Sequence, residues 1–189
     1  MWGIWMVAML QFGTYYTLVM VFRVINSLLR PPITGDTNHL ATPVRTVYRI
    51  MAHPSLAGVT TVGDVGCGEG IAAVSVMWLW HKRVLAYDNQ KRYVALVKWG
   101  AWLLRIGRVS AHHRLPQWHT PECVYFCVWT SWSSANRRTM IGHFLTHIPA
   151  GGRLVTVSHG IHHADFRVLA TETQAFAWGA ATVYYYQRL

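Results

Sequence analysis

The chain has 189 residues, which is enough for one domain of ordinary size and a short additional segment. Apolar residues make up 52% of it and charged residues only 13%, so it is richer in apolar residues than a typical soluble domain. The net charge of +10 predicts attraction to an anionic partner, which could be acidic lipid, nucleic acid or an acidic protein. The three cysteines form no CxxC pair, which argues against a disulfide framework and favours a reducing compartment.

Residues 1–22 contain no charged side chain. A helix of this length spans about 33 Å, and the hydrocarbon core of a bilayer is about 30 Å thick. Basic residues follow the segment from Arg23 onward, which predicts that the rest of the chain faces the cytosol or the mitochondrial matrix. We therefore expect a transmembrane anchor at residues 1–22, a linker at 23–38 and a folded domain at 39–189. A buried core helix is the alternative interpretation of the first segment.

The domain begins with a helix that Thr42 would cap and Pro43 would start, and it ends near Pro54. Alternating strand and helix patterns follow, as expected for an α/β fold with a parallel sheet. The predicted strands are residues 61–65, 84–88, 109–111, 123–129 and 153–157, with helices at 71–80, 89–106 and about 133–147 between them. Two further strands at 166–171 and 181–187 complete a doubly wound sheet of five parallel strands with a C-terminal antiparallel hairpin.

The turn after the first strand carries the most specific motif. Residues 61–70 read TVGDVGCGEG and lead directly into an apolar helix. The spacing is not that of a dinucleotide fingerprint, because the last position of G-x-G-x-x-G counted from Gly66 is Ile71. The pattern is instead D-x-G-x-G-x-G, beginning at Asp64. A second acid, Asp88, ends the next strand, where a carboxylate can accept hydrogen bonds from both hydroxyls of a ribose.

This motif resembles motif I of the class I methyltransferases that depend on S-adenosylmethionine (SAM). The resemblance implies SAM as the cofactor. It also implies a Rossmann-like methyltransferase sheet and the cofactor-binding residues Asp64, Gly66, Cys67, Gly68, Glu69, Gly70, Asp88 and Gln117. In that scheme the glycine turn surrounds the methionine part of SAM, and Gln117 stands where the family usually places an acid near the adenine. The end of the fourth strand, residues 129–131, lacks a catalytic signature, so no catalytic residue is predicted.

The layout of the chain is similar to a smaller group, the membrane-anchored mitochondrial lysine methyltransferases that modify the ATP synthase c-subunit or the adenine nucleotide translocase. The shared features are the apolar first segment, a T-P-x-x-x-V-x-x-x-M helix from Thr42 to Met51, and Trp178-Gly179 before the last strand. This likeness implies the mitochondrial inner membrane with the domain on the matrix side, contact with anionic lipid such as cardiolipin, and a protein substrate or a membrane protein complex as partner.

Two functions remain open at this stage. The first is a protein lysine methyltransferase. The second is a catalytically silent, methyltransferase-like subunit of an inner-membrane complex, either a respiratory complex or the ATP synthase. Basic and aromatic residues could also indicate RNA binding, but a membrane segment would explain the charge without nucleic acid. A metal site is not expected, because no metal-ligand spacing occurs among the histidines at 112, 113, 159, 162 and 163.

Overall fold

The computed structural model describes residues 2–29, 42–114 and 122–189, which form one α/β domain. Its sheet has seven strands: β1 (Thr61–Val65), β2 (Arg83–Tyr87), β3 (Val109–His112), β4 (Cys123–Val128), β5 (Arg153–Val157), β6 (Phe166–Phe176) and β7 (Gly179–Arg188). Its helices are α1 (Trp2–Leu29), α2 (Val44–Met51), α3 (Ile71–Trp80), α4 (Lys91–Leu103) and α5 (Ser134–His147).

The strands lie in the order β3-β2-β1-β4-β5-β7-β6. Strands β1 to β5 pair in parallel, and β7 lies antiparallel between β5 and β6. The order reverses at β1, because the chain moves outward to β2 and β3 and then returns to β4 on the other side. Ligands of open α/β sheets bind beyond the carboxyl ends of the strands at such a reversal. The prediction of a doubly wound sheet with a C-terminal hairpin is confirmed.

The side chains of β4 alternate between two apolar layers, as the period of a strand requires. Val124 and Phe126 join the larger layer, which is covered by α1, α2, α3 and α4. Tyr125 and Cys127 join the smaller one beneath α5. Helix α5 therefore lies on the opposite face of the sheet from the other helices.

Helix α1 packs along α4. The side-chain nitrogen of Gln11 donates a 2.9 Å hydrogen bond to the carbonyl of Leu104 at the end of α4. Tyr15, one turn later, lies against Gly100, one turn earlier in α4. The two helices are thus antiparallel. Tyr15 and Val19 are completely buried between the helix and the domain.

These contacts do not support the expectation of an anchor at residues 1–22. Within the described ranges, no helix combines the length and the apolar character that crossing a membrane requires. Hydrophobicity alone does not distinguish a helix surrounded by lipid from one that is half covered by its own domain. The buried side of α1 also carries Gln11, whose amide oxygen accepts a hydrogen bond from the indole of Trp78. The helix continues to Leu29, past the predicted boundary at residue 22.

Element boundaries elsewhere differ by a few residues. Helix α2 begins at Val44, and Pro43 occupies the N-cap position without a side-chain hydrogen bond, so Thr42 is not the cap. The hairpin strands are longer than predicted, because Phe176 already pairs with Gly179 across a two-residue loop. That loop carries no Asn-Gly or Asp-Gly signal, and the residue with positive φ is Gly179, the first residue of β7, at 124°.

The packing of α1 predicts opposite effects for one substitution at two helical glycines. A Cβ on Gly100 would lie 2.5 Å from Cε2 of Tyr15, whereas a Cβ on Gly142 in α5 would meet no atom within 4 Å. We expect Gly142→Ala to stabilise the fold by about 0.5–1 kcal/mol and Gly100→Ala to destabilise it by about 1–3 kcal/mol. Thermal unfolding of both variants measures the difference. Equal stabilisation by the two substitutions would show that α1 does not rest on α4.

Candidate functional site

The glycine-rich turn connects β1 to α3 through three left-handed residues. Gly66, Gly68 and Gly70 have φ of 77°, 51° and 75°. Residues with a Cβ rarely adopt this region, so glycine at alternate positions lets the backbone reverse sharply. The motif seen in the sequence is therefore a backbone requirement of this turn.

The end of β2 holds the first half of the turn. The N–H groups of Gly66 and Cys67 both donate to the carbonyl of Tyr87, at 2.8 and 2.9 Å. The N–H of Gly68 donates to Oδ2 of Asp88 at 2.9 Å. Three successive amides of the turn are thus satisfied by two adjacent residues.

Helix α1 holds the second half. The hydroxyl of Tyr15 donates a buried 2.7 Å hydrogen bond to the carbonyl of Glu69. A Cβ on Gly70 would lie 2.7 Å from that hydroxyl and 2.5 Å from Cγ2 of Val97 in α4. Gly70 is therefore required for space as well as for its φ angle.

A cavity of about 360 Å³ opens beside this turn, beyond the carboxyl ends of β1, β2 and β4. Its lining divides into a carboxylate-rich side, formed by the turn and the end of β2, and a side formed by the loop after β4 and the start of α5. The lining includes Asp64, Gly66, Cys67, Glu69, Asp88, Thr130, Ser131, Trp132 and Asn136.

Asp88 stabilises the turn by accepting hydrogen bonds from the backbone, and it can accept further hydrogen bonds from a ligand. Its Oδ1 accepts a 2.8 Å hydrogen bond from the N–H of Gln90, and its Oδ2 accepts the one from Gly68. An ionised carboxylate offers about four acceptor sites, so each oxygen can accept a further bond. Asp88 is 9% exposed, and that exposure is toward the cavity.

Asp64 is the more unusual carboxyl group. It is 4% exposed, and burial, with a smaller contribution from the charge of Asp88, raises its pKa from 3.8 to about 7. A hydrogen bond from the backbone of Ala73 opposes this shift. Its Oδ2 is buried and has no hydrogen-bond partner among the described residues. A buried acceptor without a partner is costly, so a donor supplied by a ligand would stabilise this position.

Cys67 and Glu69 complete the turn side of the cavity, and both are buried. Burial raises the pKa of the Cys67 thiol, and the charges of Asp64 and Asp88 raise it further. The thiol is therefore protonated at neutral pH, which makes it a poor nucleophile. Cys67 shapes the cavity and does not react in it.

The opposite wall of the cavity is formed by the loop that follows β4 and by the start of α5. The hydroxyls of Thr130 and Ser158 lie 2.7 Å apart in a hydrogen bond, and the indole of Trp132 crosses above the turn. A Cβ on Gly66 would lie 3.0 Å from Cζ2 of Trp132, so the ring and the turn are in close approach. Within the described part of the chain, the residues that this loop and α5 contribute to the cavity include no carboxylate and no imidazole.

The structure brings seven of the eight predicted cofactor residues together on one turn and the adjoining strand end. Gln117, the eighth, lies outside the described residues. Sequence reasoning missed the wall residues Ser131, Trp132 and Asn136. The available signal was their position after β4, since the carboxyl ends of neighbouring parallel strands share one edge.

The buried Asp64 predicts a pH-dependent stability. Because its pKa is higher in the folded state, its favourable contribution is fully present below pH 3.8 and is lost as the pH rises toward 7. Asp64→Asn resembles the protonated form at every pH. Denaturant unfolding should therefore show the variant gaining about 2–3 kcal/mol relative to wild type between about pH 5 and pH 8. Asp165→Asn, a substitution at an exposed acid, is the control. An unchanged difference across this range would show that Asp64 is ionised throughout.

Comparison with solved structures identifies the fold. An RNA methyltransferase from Salinibacter ruber, in complex with S-adenosyl-L-homocysteine, matches with a TM-score of 0.59 at 13% identity, over 79% of this chain and 94% of that one. An rRNA methylase from Streptococcus thermophilus matches with a TM-score of 0.52 at 15% identity, over 74% and 95% of the two chains. The mitomycin 7-O-methyltransferase MmcR matches with a TM-score of 0.61 at 11% identity, over 77% of this chain and 54% of that one.

No protein-family model and no curated protein sequence matches the chain. The structural matches include proteins that act on RNA and on a small molecule, at identities that carry information about the fold alone. Together with the strand order and the glycine turn, they show that this chain has the fold of the class I methyltransferases.

Proposed function

We propose that the cavity beside the glycine turn binds SAM and that the protein transfers its methyl group to a lysine side chain of a protein. The observation that carries this proposal is the pair of buried carboxyl groups, Asp64 and Asp88, one with an unpartnered oxygen and one with spare acceptor sites. Only seven acids occur in the whole chain, and three of them, Asp64, Glu69 and Asp88, line this cavity.

The site fits this cofactor in size and in chemistry. A volume of about 360 Å³ falls in the range of about 300–1,000 Å³ that small-molecule pockets occupy. SAM presents an ammonium group and two ribose hydroxyls, all hydrogen-bond donors, to a region where the protein offers acceptors. The solved neighbour that contains S-adenosyl-L-homocysteine supports the same ligand class.

The residues then have separate tasks. Asp64 would accept hydrogen bonds from the ammonium group, and Asp88 would hold the ribose while continuing to fix the turn. Gly66 and Gly68 let the backbone approach the ligand closely, because a side chain at either position would project from a left-handed residue. Trp132 covers the turn and limits access of water.

SAM, when bound, supplies an electrophilic methyl group for in-line transfer to a nucleophile. The protein must orient that nucleophile and remove its water. On the wall after β4, Trp132 provides an apolar surface and Thr130, Ser131 and Asn136 provide neutral polar groups. Such surroundings lower the pKa of a lysine amine by desolvation, so the neutral amine forms without a carboxylate base. A neutral amine is therefore compatible with this wall as the acceptor.

The same wall supports the second candidate, a silent methyltransferase-like subunit of a membrane complex. A cavity that can hold the cofactor but whose wall after β4 contributes no carboxylate and no imidazole among the described residues could serve stability alone. Both candidates rest on the resemblance to the membrane-anchored mitochondrial lysine methyltransferases. We therefore propose the mitochondrial inner membrane as the location of either. Cell fractionation tests it.

Cofactor binding is measured by titration calorimetry of S-adenosyl-L-homocysteine into the full-length protein. We expect micromolar affinity that Asp88→Asn weakens by about 10–100-fold, since a hydrogen bond to a charged group contributes about 1.5–3 kcal/mol. Asp165→Asn makes the same chemical change at the distant end of the sheet and should bind normally. A wild-type protein that shows neither heat nor a ligand-induced rise in melting temperature would refute the cofactor site.

Methyl transfer is measured separately. The protein is incubated with methyl-labelled SAM and lysine-containing proteins from a membrane extract, and the hydrolysed product is assayed for labelled methyl-lysine. The enzyme proposal expects label in lysine that Asp88→Asn reduces and Asp165→Asn does not. Binding without transfer would assign the protein to the silent class, and label recovered in RNA would overturn lysine as the acceptor.

A further inference from the structure

The outer surface of α1 and α4 exposes large apolar side chains that no part of the described structure covers. On α4, Trp99 and Trp102 are 69% and 71% exposed and contact each other edge to face. On the outer side of α1, Met9 and Leu10 are 76% and 63% exposed. Scattered single apolar residues are normal on protein surfaces, but a concentration on two helices that pack side by side indicates an interaction surface. Further exposed members are Tyr16, Val21 and Leu103.

The charges around this surface have one sign. Lys91 and Lys98 are exposed on α4, and their spacing of seven residues places them on the same side as its tryptophans; Arg105, just past the end of the helix, is exposed as well. Residues 1–29 and 89–121 contain no aspartate or glutamate. The charged residues within these two stretches of sequence are therefore all basic, which favours an anionic partner over a protein surface of mixed charge.

The residue types match a lipid interface. Tryptophan and tyrosine rings have an apolar body and a polar atom, and they concentrate where hydrocarbon meets headgroups. Lysine and arginine can lay their apolar stems along hydrocarbon while their charged ends reach phosphate. Helices that lie in the plane of a membrane combine these two features.

We propose that the outer face of α1 and α4 docks the protein flat on the surface of an anionic phospholipid bilayer. The apolar side chains enter the boundary between headgroups and acyl chains, and Lys91, Lys98 and Arg105 contact phosphate. The inner side of α1 remains packed on the domain through Tyr15 and Val19, so docking does not require the helix to leave it. This surface is independent of the cofactor site.

Vesicle flotation of the full-length protein tests the proposal. The vesicles are phosphatidylcholine alone or phosphatidylcholine with about 30% phosphatidylglycerol. We expect binding to the mixed vesicles, with a much smaller bound fraction on phosphatidylcholine alone and at high salt. Equal binding to both kinds of vesicle, or binding to neither, would overturn the proposal.

Matched variants locate the surface. Trp99→Ser with Trp102→Ser should weaken binding at least tenfold, whereas Val168→Ser removes an exposed apolar side chain from β6 and should have no effect. Lys98→Glu should weaken it at least fivefold more than Arg138→Glu, the same change of charge on α5 at the opposite face of the sheet.

Each variant is also tested for the rise in melting temperature that S-adenosyl-L-homocysteine produces in wild type. An unchanged rise shows that the fold and the cavity are intact, so a loss of flotation is a loss of docking. The proposal fails if the tryptophan variant floats like wild type, or if the charge variants on α4 and α5 behave alike. It also fails if sedimentation shows that this surface joins two copies of the chain and is unavailable to lipid.

Discussion

The hydrogen bonds between the glycine turn and the end of β2 are the constraint on which the site depends. The N–H groups of a turn built from left-handed residues cannot pair as they would in a helix or a strand, so they need other acceptors. The carbonyl of Tyr87 and the carboxylate of Asp88 accept three of them. This pairing fixes the distance between β1 and β2 at their carboxyl ends, and the cavity is the space that remains between the turn and the loop after β4.

The carboxyl groups of the site illustrate two consequences of burial. Asp88 accepts hydrogen bonds from the backbone at both oxygens, and this compensates for its removal from water. Asp64 has an oxygen with no partner among the described residues, and burial, followed by the charge of Asp88, raises its pKa. The position therefore reduces the stability of the ligand-free fold at neutral pH. A destabilising group of this kind is expected where a site is preorganised to bind a ligand at the expense of stability.

Much of the fold could be predicted from the sequence because local signals and global topology agree. Glycines 66, 68 and 70 mark the turn, and the apolar runs of β4 and β5 are typical of strands buried on both faces. The hairpin ends were misjudged because the loop before Gly179 uses none of the common turn residues. The wall formed by Trp132 and Asn136 could not be predicted, since its role arises from the meeting of separate loops at one edge of the sheet.

The surroundings of helix α1 could not be predicted from the sequence, for a different reason. Its sequence is apolar on nearly all sides, and the only sign of a protein partner is the single amide of Gln11. The residues that show its true surroundings are Leu104 and Gly100, which lie far away in the chain. Hydrophobicity measures how strongly a segment avoids water. It does not indicate whether the segment will pack against lipid or against the rest of its own chain.

The hydrogen bond from Tyr15 to Glu69 also has a consequence for synthesis. Helix α1 leaves the ribosome before α3 and α4 exist, and its buried side needs contacts that reach to Leu104. Roughly 75 residues of chain separate the end of α1 from that contact, which corresponds to roughly 4–15 s of translation. Until Glu69 and Trp78 emerge, and finally Leu104, the buried side of the helix lacks contacts that it makes in the folded protein. The apolar side of α1 is therefore incompletely covered during this part of synthesis, which favours aggregation of the nascent chain.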